Sequence, residues 1–280
     1  MNRSLNFVFL LAMLALCAKF CMKETDGFSI LAISSHRPYN SDWQVPLREP
    51  EKVDQALSQP YHYLGSGSQC FVFTSQDGNY VLKFFKQRIY SPSAFLNRAP
   101  LPWFLHRYRE KNREKRLDKC ARDFASYKMA FEELQEETQL LYVHLNPTDF
   151  LKKTVFITDK LHIRHEILLD KLDFILQRRA EPAFDHIQRL MGQGKKKEAK
   201  QAILSLRTLI ENRCRKGFKD RDPDIRTNCG FVGEKAVKLD VGRFERNNGF
   251  QDPKVCAEEI ETVMAPFHCW IKTFYPSLNE

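Results

Sequence analysis

The chain has 280 residues, 43% hydrophobic and 28% charged, with only 11 Gly and 13 Pro. That length buries a core without staples, and the composition excludes a disordered tail, a collagenous chain or a low-complexity chain. Its 44 basic and 35 acidic residues leave a net charge of +9, which favours anionic partners without choosing among them.

Residues 1–23 read as a signal peptide or membrane anchor. Arg3 is the early charge, and Phe7 to Ala18 is an unbroken apolar run that stops at Lys19. A spanning helix needs about 20 apolar residues, so export or a shallow anchor is expected. The protein is then secreted or membrane-anchored, with residues 7–18 as the membrane-contacting part. Eight cysteines show neither Cys-x-x-Cys nor paired Cys/His spacing, which argues against structural zinc.

Residues 24–60 read as a linker punctuated by Pro38, Pro46 and Pro50, with a short helix over Glu51–Ser58. From Tyr61 to Phe85 the pattern is strand-like, and Asp77-Gly78 between β-rich runs signals a hairpin. Pro92, Pro100 and Pro102 interrupt the next stretch. A helix then runs from His106 to about Leu140 on the apolar stripe Phe124, Tyr127, Phe131 and Leu134. Strands are expected at Leu141–Leu145, Thr154–Thr158 and Leu161–His165. Helices follow at Asp170–Arg179, Ala183–Met191 and Lys197–Arg213, then a hairpin around Gly233-Glu234 and a last helix over Pro253–Phe274 interrupted at Pro266.

Strands first and helices second imply an α+β chain. Leu64-Gly65-Ser66-Gly67-Ser68-Gln69-Cys70-Phe71-Val72 is a glycine-rich turn between strands, and Val81-Leu82-Lys83 puts a lysine among apolar neighbours on a later strand. An ammonium in that setting needs an anionic partner. Further on, Arg221-Asp222 precedes Asn228, and twelve residues later comes Asp240 within Leu239-Asp240-Val241-Gly242.

In order and spacing these elements resemble the protein kinase-like superfamily over about Tyr61 to Phe244. The resemblance implies a bilobal fold: an N-terminal lobe over 61–167, with a five-stranded antiparallel sheet and one long helix, and a reduced, mainly helical C-terminal lobe over 168–280. It implies ATP and Mg²⁺ as cofactors. Gly65, Gly67 and Val72 would then cover the nucleotide, Lys83 would clamp its phosphates in an ion pair with a helix glutamate, Glu133 or else Glu136, Asn228 and Asp240 would hold the metal, and Asp222 would orient the attacking hydroxyl. Phosphoryl transfer asks a protein for little beyond such positioning and charge neutralisation.

Four departures stand out. Cys70 occupies the place of the third glycine, Asp220 replaces the catalytic-loop histidine, and Asn228 lies six residues after Asp222 instead of five. Either the loop has gained a residue or Asp224 is the base. In addition, only 38 residues follow Gly242, too few for the family's peptide-docking lobe, so the acceptor is an unknown protein or small molecule. A catalytically impaired pseudokinase and an exported interaction protein are the alternatives. His162 and His165, on opposite faces of a strand, are not expected to bind metal, Lys195–Lys197 reads as a solvated loop, and no basic-aromatic repeat points to nucleic acid.

Overall fold

The computed structural model describes residues 3–91 and 102–278; the expected breaks at Pro92 and Pro100 lie outside them. The chain divides into two compact units. One comprises Met1–Gln44, Pro50–Leu117 and His144–Ile175, the other Val45–Glu49, Asp118–Val143 and Leu176–Glu280. Each unit is therefore assembled from three separate stretches of the chain.

The sheet differs from expectation. Strands β1 (Tyr61–Ser66), β2 (Cys70–Ser75), β3 (Tyr80–Phe85), β4 (Leu140–His144), β5 (Thr154–Thr158), β6 (Arg164–Leu168) and β7 (Phe174–Arg178) form one curled, half-barrel sheet of seven strands in the order β4-β7-β3-β2-β1-β5-β6. The expected five-stranded antiparallel sheet is therefore wrong in number and in direction. β1 runs parallel to β5, with Tyr61 opposite Ile157 and His62 opposite Thr158, so the sheet is mixed. The helix expected over Asp170–Arg179 is a short 3-10 turn (Leu169–Lys171) followed by β7. Phe174, Ile175 and Leu176 are all buried, which suits a strand covered on both faces; a short apolar run leaves that choice to tertiary context.

In the first unit α1 (Arg3–Glu24) takes up the leader as a single helix, followed by α2 (Ile30–Ile33), α3 (Pro50–Leu57) and α4 (Gln87–Tyr90). No helix among the described residues is long and apolar enough to cross a membrane. Much of the segment expected to be a linker is packed. Phe28 is buried, with its ring centred 5.3 Å from both Phe71 and Phe73. Arg37 makes a buried ion pair with Asp173 and donates to Gln87 Oε1 at 2.7 Å. His162 sits in a turn with φ 63° instead of a strand, and His165 Nε2 lies 2.8 Å from Asp159 Oδ2.

The β2–β3 hairpin closes as its Asp-Gly signal predicts. Ser75 Oγ donates to Asp77 Oδ1 at 2.6 Å, and Asn79 donates from its backbone and its side chain at 3.0 Å each. Burial pushes the Asp77 carboxyl up, but the hydrogen bonds from Ser75, Asn79 and Gln59 outweigh it and hold the group down at about 2. A depressed folded value contributes stability that is complete above the unfolded value near 3.8 and lost as pH falls through the folded one. The stability difference between wild type and Asp77→Asn is therefore expected to be constant above about pH 5 and to shrink towards pH 2 in urea titrations; a difference that does not change over that range would refute it.

In the second unit, α5 (Trp103–Glu133) contributes residues from 118 onward and ends at Glu133, short of the expected Leu140; α6 (Gln135–Thr138) follows and Gln139, at φ 52°, turns the chain into β4. The core is made by α7 (Ala183–Gly192), α8 (Lys196–Arg215) and α10 (Pro253–Phe274), through Ile187, Leu206, Ile210, Ile260, Met264 and Phe267. Pro266 lies inside α10 without ending it. The predicted hairpin is β10 (Cys229–Val232) with β11 (Lys235–Lys238), and β8 (Glu181–Pro182) lies on its other side. Gly230 is required there, since a Cβ would sit 2.5 Å from the Glu181 carbonyl oxygen. Two short strands, β9 (Phe218–Asp220) and β12 (Phe244–Arg246), pair antiparallel around the one-turn α9 (Ile225–Asn228) and the hairpin. All eight cysteines are free.

Candidate active site

In the first unit the strand register brings three of the predicted residues into one row. Gly65 of β1 is opposite Val72 of β2, which is opposite Lys83 of β3. Directly opposed residues point to the same face with Cβ atoms about 5 Å apart. Val72 and Lys83 are half-buried, and the space over Gly65 is open to 4 Å. The opposite face, with Phe71, Phe73, Leu82 and Phe84, is core. A shift in register separates Tyr63 from Gly65, a bulge that bends β1 where the glycine turn begins. The turn is then closed by Gly67 N donating to Cys70 O at 2.9 Å.

Sequence reasoning missed Lys86 beside this turn. Its ammonium donates to Gly67 O and lies 4.8 Å from the Phe71 ring centre, and its backbone N donates to Gln69 O at 2.8 Å. Burial, with Arg88 nearby, pulls the ammonium below its usual value. Lys86 thus staples the glycine turn to the end of β3.

The second unit holds the remaining predicted groups. Asp222 is exposed at its side chain and held through its backbone: its N–H donates to Asp220 Oδ1 at 2.9 Å, and its carbonyl accepts from Asn228 Nδ2 at 3.0 Å and Lys238 Nζ at 2.7 Å. Asp224, the other candidate base, caps α9 instead, accepting from Arg226 N at 2.8 Å.

Asn228 and Asp240 flank one mouth of the β10–β11 hairpin. Cys229 pairs with Lys238, and Leu239 N donates to Asn228 O at 2.8 Å. With Asn228 Nδ2 committed to Asp222, its side-chain oxygen is the atom left for a cation. Asp240 Oδ1 accepts from Gly242 N at 3.1 Å and from Tyr127 OH at 3.5 Å. One carboxylate and one amide oxygen are a sparse set, suited to Mg²⁺ that keeps waters and phosphate oxygens. Among the described residues no group of three or more His, Cys, Asp or Glu could hold a metal ion.

Beneath the loop lies an ionic core that sequence reasoning did not find. Lys238 contacts Asp220 Oδ2 at 2.6 Å, with side chains 6% and 4% exposed. Arg213 lies 3.9 Å from the same carboxylate and 2.6 Å from Glu259. Asp220 is thus the anchor for Asp222. Ser126 of α5 adds a second brace: its hydroxyl donates to Val241 O and accepts from Phe244 N at 2.7 Å. The available signals were a lysine on a buried strand position and a serine on the apolar stripe of α5.

Glu133 is engaged otherwise than expected. It is the last residue of α5, its carboxylate is paired with Arg246, and its carbonyl accepts from Lys216 at 3.0 Å. Asp123 is the buried acid of that helix in the second unit, 7% exposed and 2.7 Å from Lys119.

No protein-family model matches the chain, and no curated protein does. Among solved structures it is similar to the complex of Rv3197 with erythromycin from Mycobacterium tuberculosis, at 12% identity over 73% of this chain, with a TM-score of 0.31. The chain spans about half of that relative, 54% of its length. A likeness so distant bears on neither fold nor function, and nothing in it is specific to kinases.

Proposed function

We propose that this chain is an atypical member of the protein kinase-like superfamily that binds Mg-ATP and transfers the terminal phosphate to a hydroxyl group of a protein or small-molecule acceptor. The acceptor oxygen attacks the γ-phosphorus, the bond to the β,γ-bridging oxygen breaks, ADP leaves, and Asp222 orients the hydroxyl and takes its proton. Asn228 and Asp240 hold the metal, Lys83 clamps phosphate, and Gly65, Gly67 and Val72 cover the nucleotide.

The observation that carries this reading is the loop of the second unit, in which Asn228 Nδ2 pins the Asp222 carbonyl and the backbone pairing puts residues 228 and 239 opposite each other at the end of the β10–β11 hairpin, next to Asp240. The row of Gly65, Val72 and Lys83 supports it. Glu133, proposed as the partner of Lys83, has its carboxylate on Arg246. A secreted or membrane-anchored location goes with this reading, supported by side chains such as Phe7, Leu10 and Leu14, each at least 55% exposed on α1.

A ligand that binds only the folded state stabilises it by about 2.7 kcal/mol at a concentration 100 times its Kd. Saturating Mg-ATP is therefore expected to raise the Tm of the full-length chain by several degrees, and Lys83→Ala and Asp240→Ala to abolish the rise; an undiminished rise in both variants overturns the proposal. The pseudokinase alternative draws on Cys70, whose carbonyl closes the glycine turn. It predicts the same thermal shift with no ADP formed.

A further inference from the structure

We propose that the second unit carries a binding site for a small phosphorylated anion, separate from the residues assigned to nucleotide and metal. A cleft of about 290 Å³ is lined by Lys119 and Arg122 of α5 and by Arg221, Arg243 and Arg246 along the β9–β12 pair. Its acids are Asp123 and Glu245, so the lining carries five positive charges against two negative ones. Concave walls focus such an excess.

The pairing inside the cleft identifies the groups left for a ligand. Lys119 is held by Asp123 and Arg221 by Glu245, each at 2.7 Å, and Arg246 is paired with Glu133. Arg122 and Arg243 are exposed and have no acid or hydrogen-bond acceptor for their side chains among the described residues. Each guanidinium presents a planar fork that matches phosphate geometry, and two of them in one cleft repel each other until an anion sits there.

Shape narrows the occupant further. Arg221 N donates to Arg243 O at 3.1 Å, and Phe244 N is bound to Ser126 on α5, so the backbone carrying these arginines is fixed before any ligand arrives. The cleft is at the small end of ligand pockets and suits inorganic phosphate or a phosphorylated compound of a few carbons.

The test uses the full-length chain without nucleotide or Mg²⁺, so its failure is distinguishable from failure of the kinase reading. Inorganic phosphate and glycerol 3-phosphate are titrated against thermal unfolding, with chloride at matched ionic strength and glycerol as controls. Both phosphates are expected to raise the Tm where chloride and glycerol do not, and Arg122→Ala/Arg243→Ala to weaken binding at least about tenfold. A response to inorganic phosphate alone restricts the site to the free ion and supports it. Equal responses to phosphate and chloride, or an unchanged midpoint in the variant, overturn it. If the double variant does not fold, Arg122→Gln gives the reading, tenfold weaker binding supporting the site and unchanged binding overturning it.

Discussion

Asp222→Asn is expected to lower ADP formation by about 10²–10⁴-fold, the usual contribution of a positioned acid or base, while leaving the Mg-ATP thermal shift as it is in wild type. The prediction follows from how the loop distributes its bonds. Both backbone groups of Asp222 are held, the N–H by Asp220 and the carbonyl by Asn228 and Lys238, and its carboxylate is left exposed. Asn keeps the shape and the backbone contacts but cannot accept a proton. Asp224→Asn is the control, since Asn caps a helix as well as Asp does, and turnover there is expected to be unchanged. Turnover lost in Asp224→Asn and kept in Asp222→Asn would reverse the assignment of the base.

Lys238→Met is expected to destabilise the protein by roughly 3–5 kcal/mol, the cost of leaving a buried charge without its partner. The ammonium lies 2.6 Å from Asp220 Oδ2, with both side chains almost fully buried, and removing it leaves that carboxylate only the Asp222 N–H at 2.9 Å and Arg213 at 3.9 Å. Urea denaturation measures the loss. The double variant Asp220→Leu/Lys238→Met should recover much of it, because an apolar pair of similar volume commonly replaces a buried ion pair at little cost. A loss under about 1 kcal/mol in the single variant would show that the pair does not hold the loop. Of the buried groups near this pair, Cys229 is pushed up to about 11 by burial, which makes it a packing thiol and not a reactive one.

The hairpins were legible because their signals are local. Asp77-Gly78 needs only its own hydrogen bonds to turn the chain, and Gly233, at φ 62°, does the same for the second hairpin. The spacing of Asp222, Asn228 and Asp240 carried the candidate site for a related reason: short segments with fixed turns keep their order in space. What misled was the run from Asp170 to Arg179, where Phe174, Ile175 and Leu176 satisfy a buried helix and a buried strand equally. Placement between β4 and β3 resolved it, and no window of the sequence contains both of those partners.

The sequence by itself determined both tight hairpins and the long helices of the second unit, since each depends on neighbours a few positions away. Tertiary structure alone decided that the sheet has seven strands with a parallel pair, that Glu133 is paired with Arg246, that Asp220 is neutralised by Lys238, and that Arg122 and Arg243 share a cleft. The physical reason is distance along the chain. Charges and strands separated by tens of residues meet only after the backbone has closed long loops, and the choice among partners then rests on burial and Coulomb energy that no local pattern records.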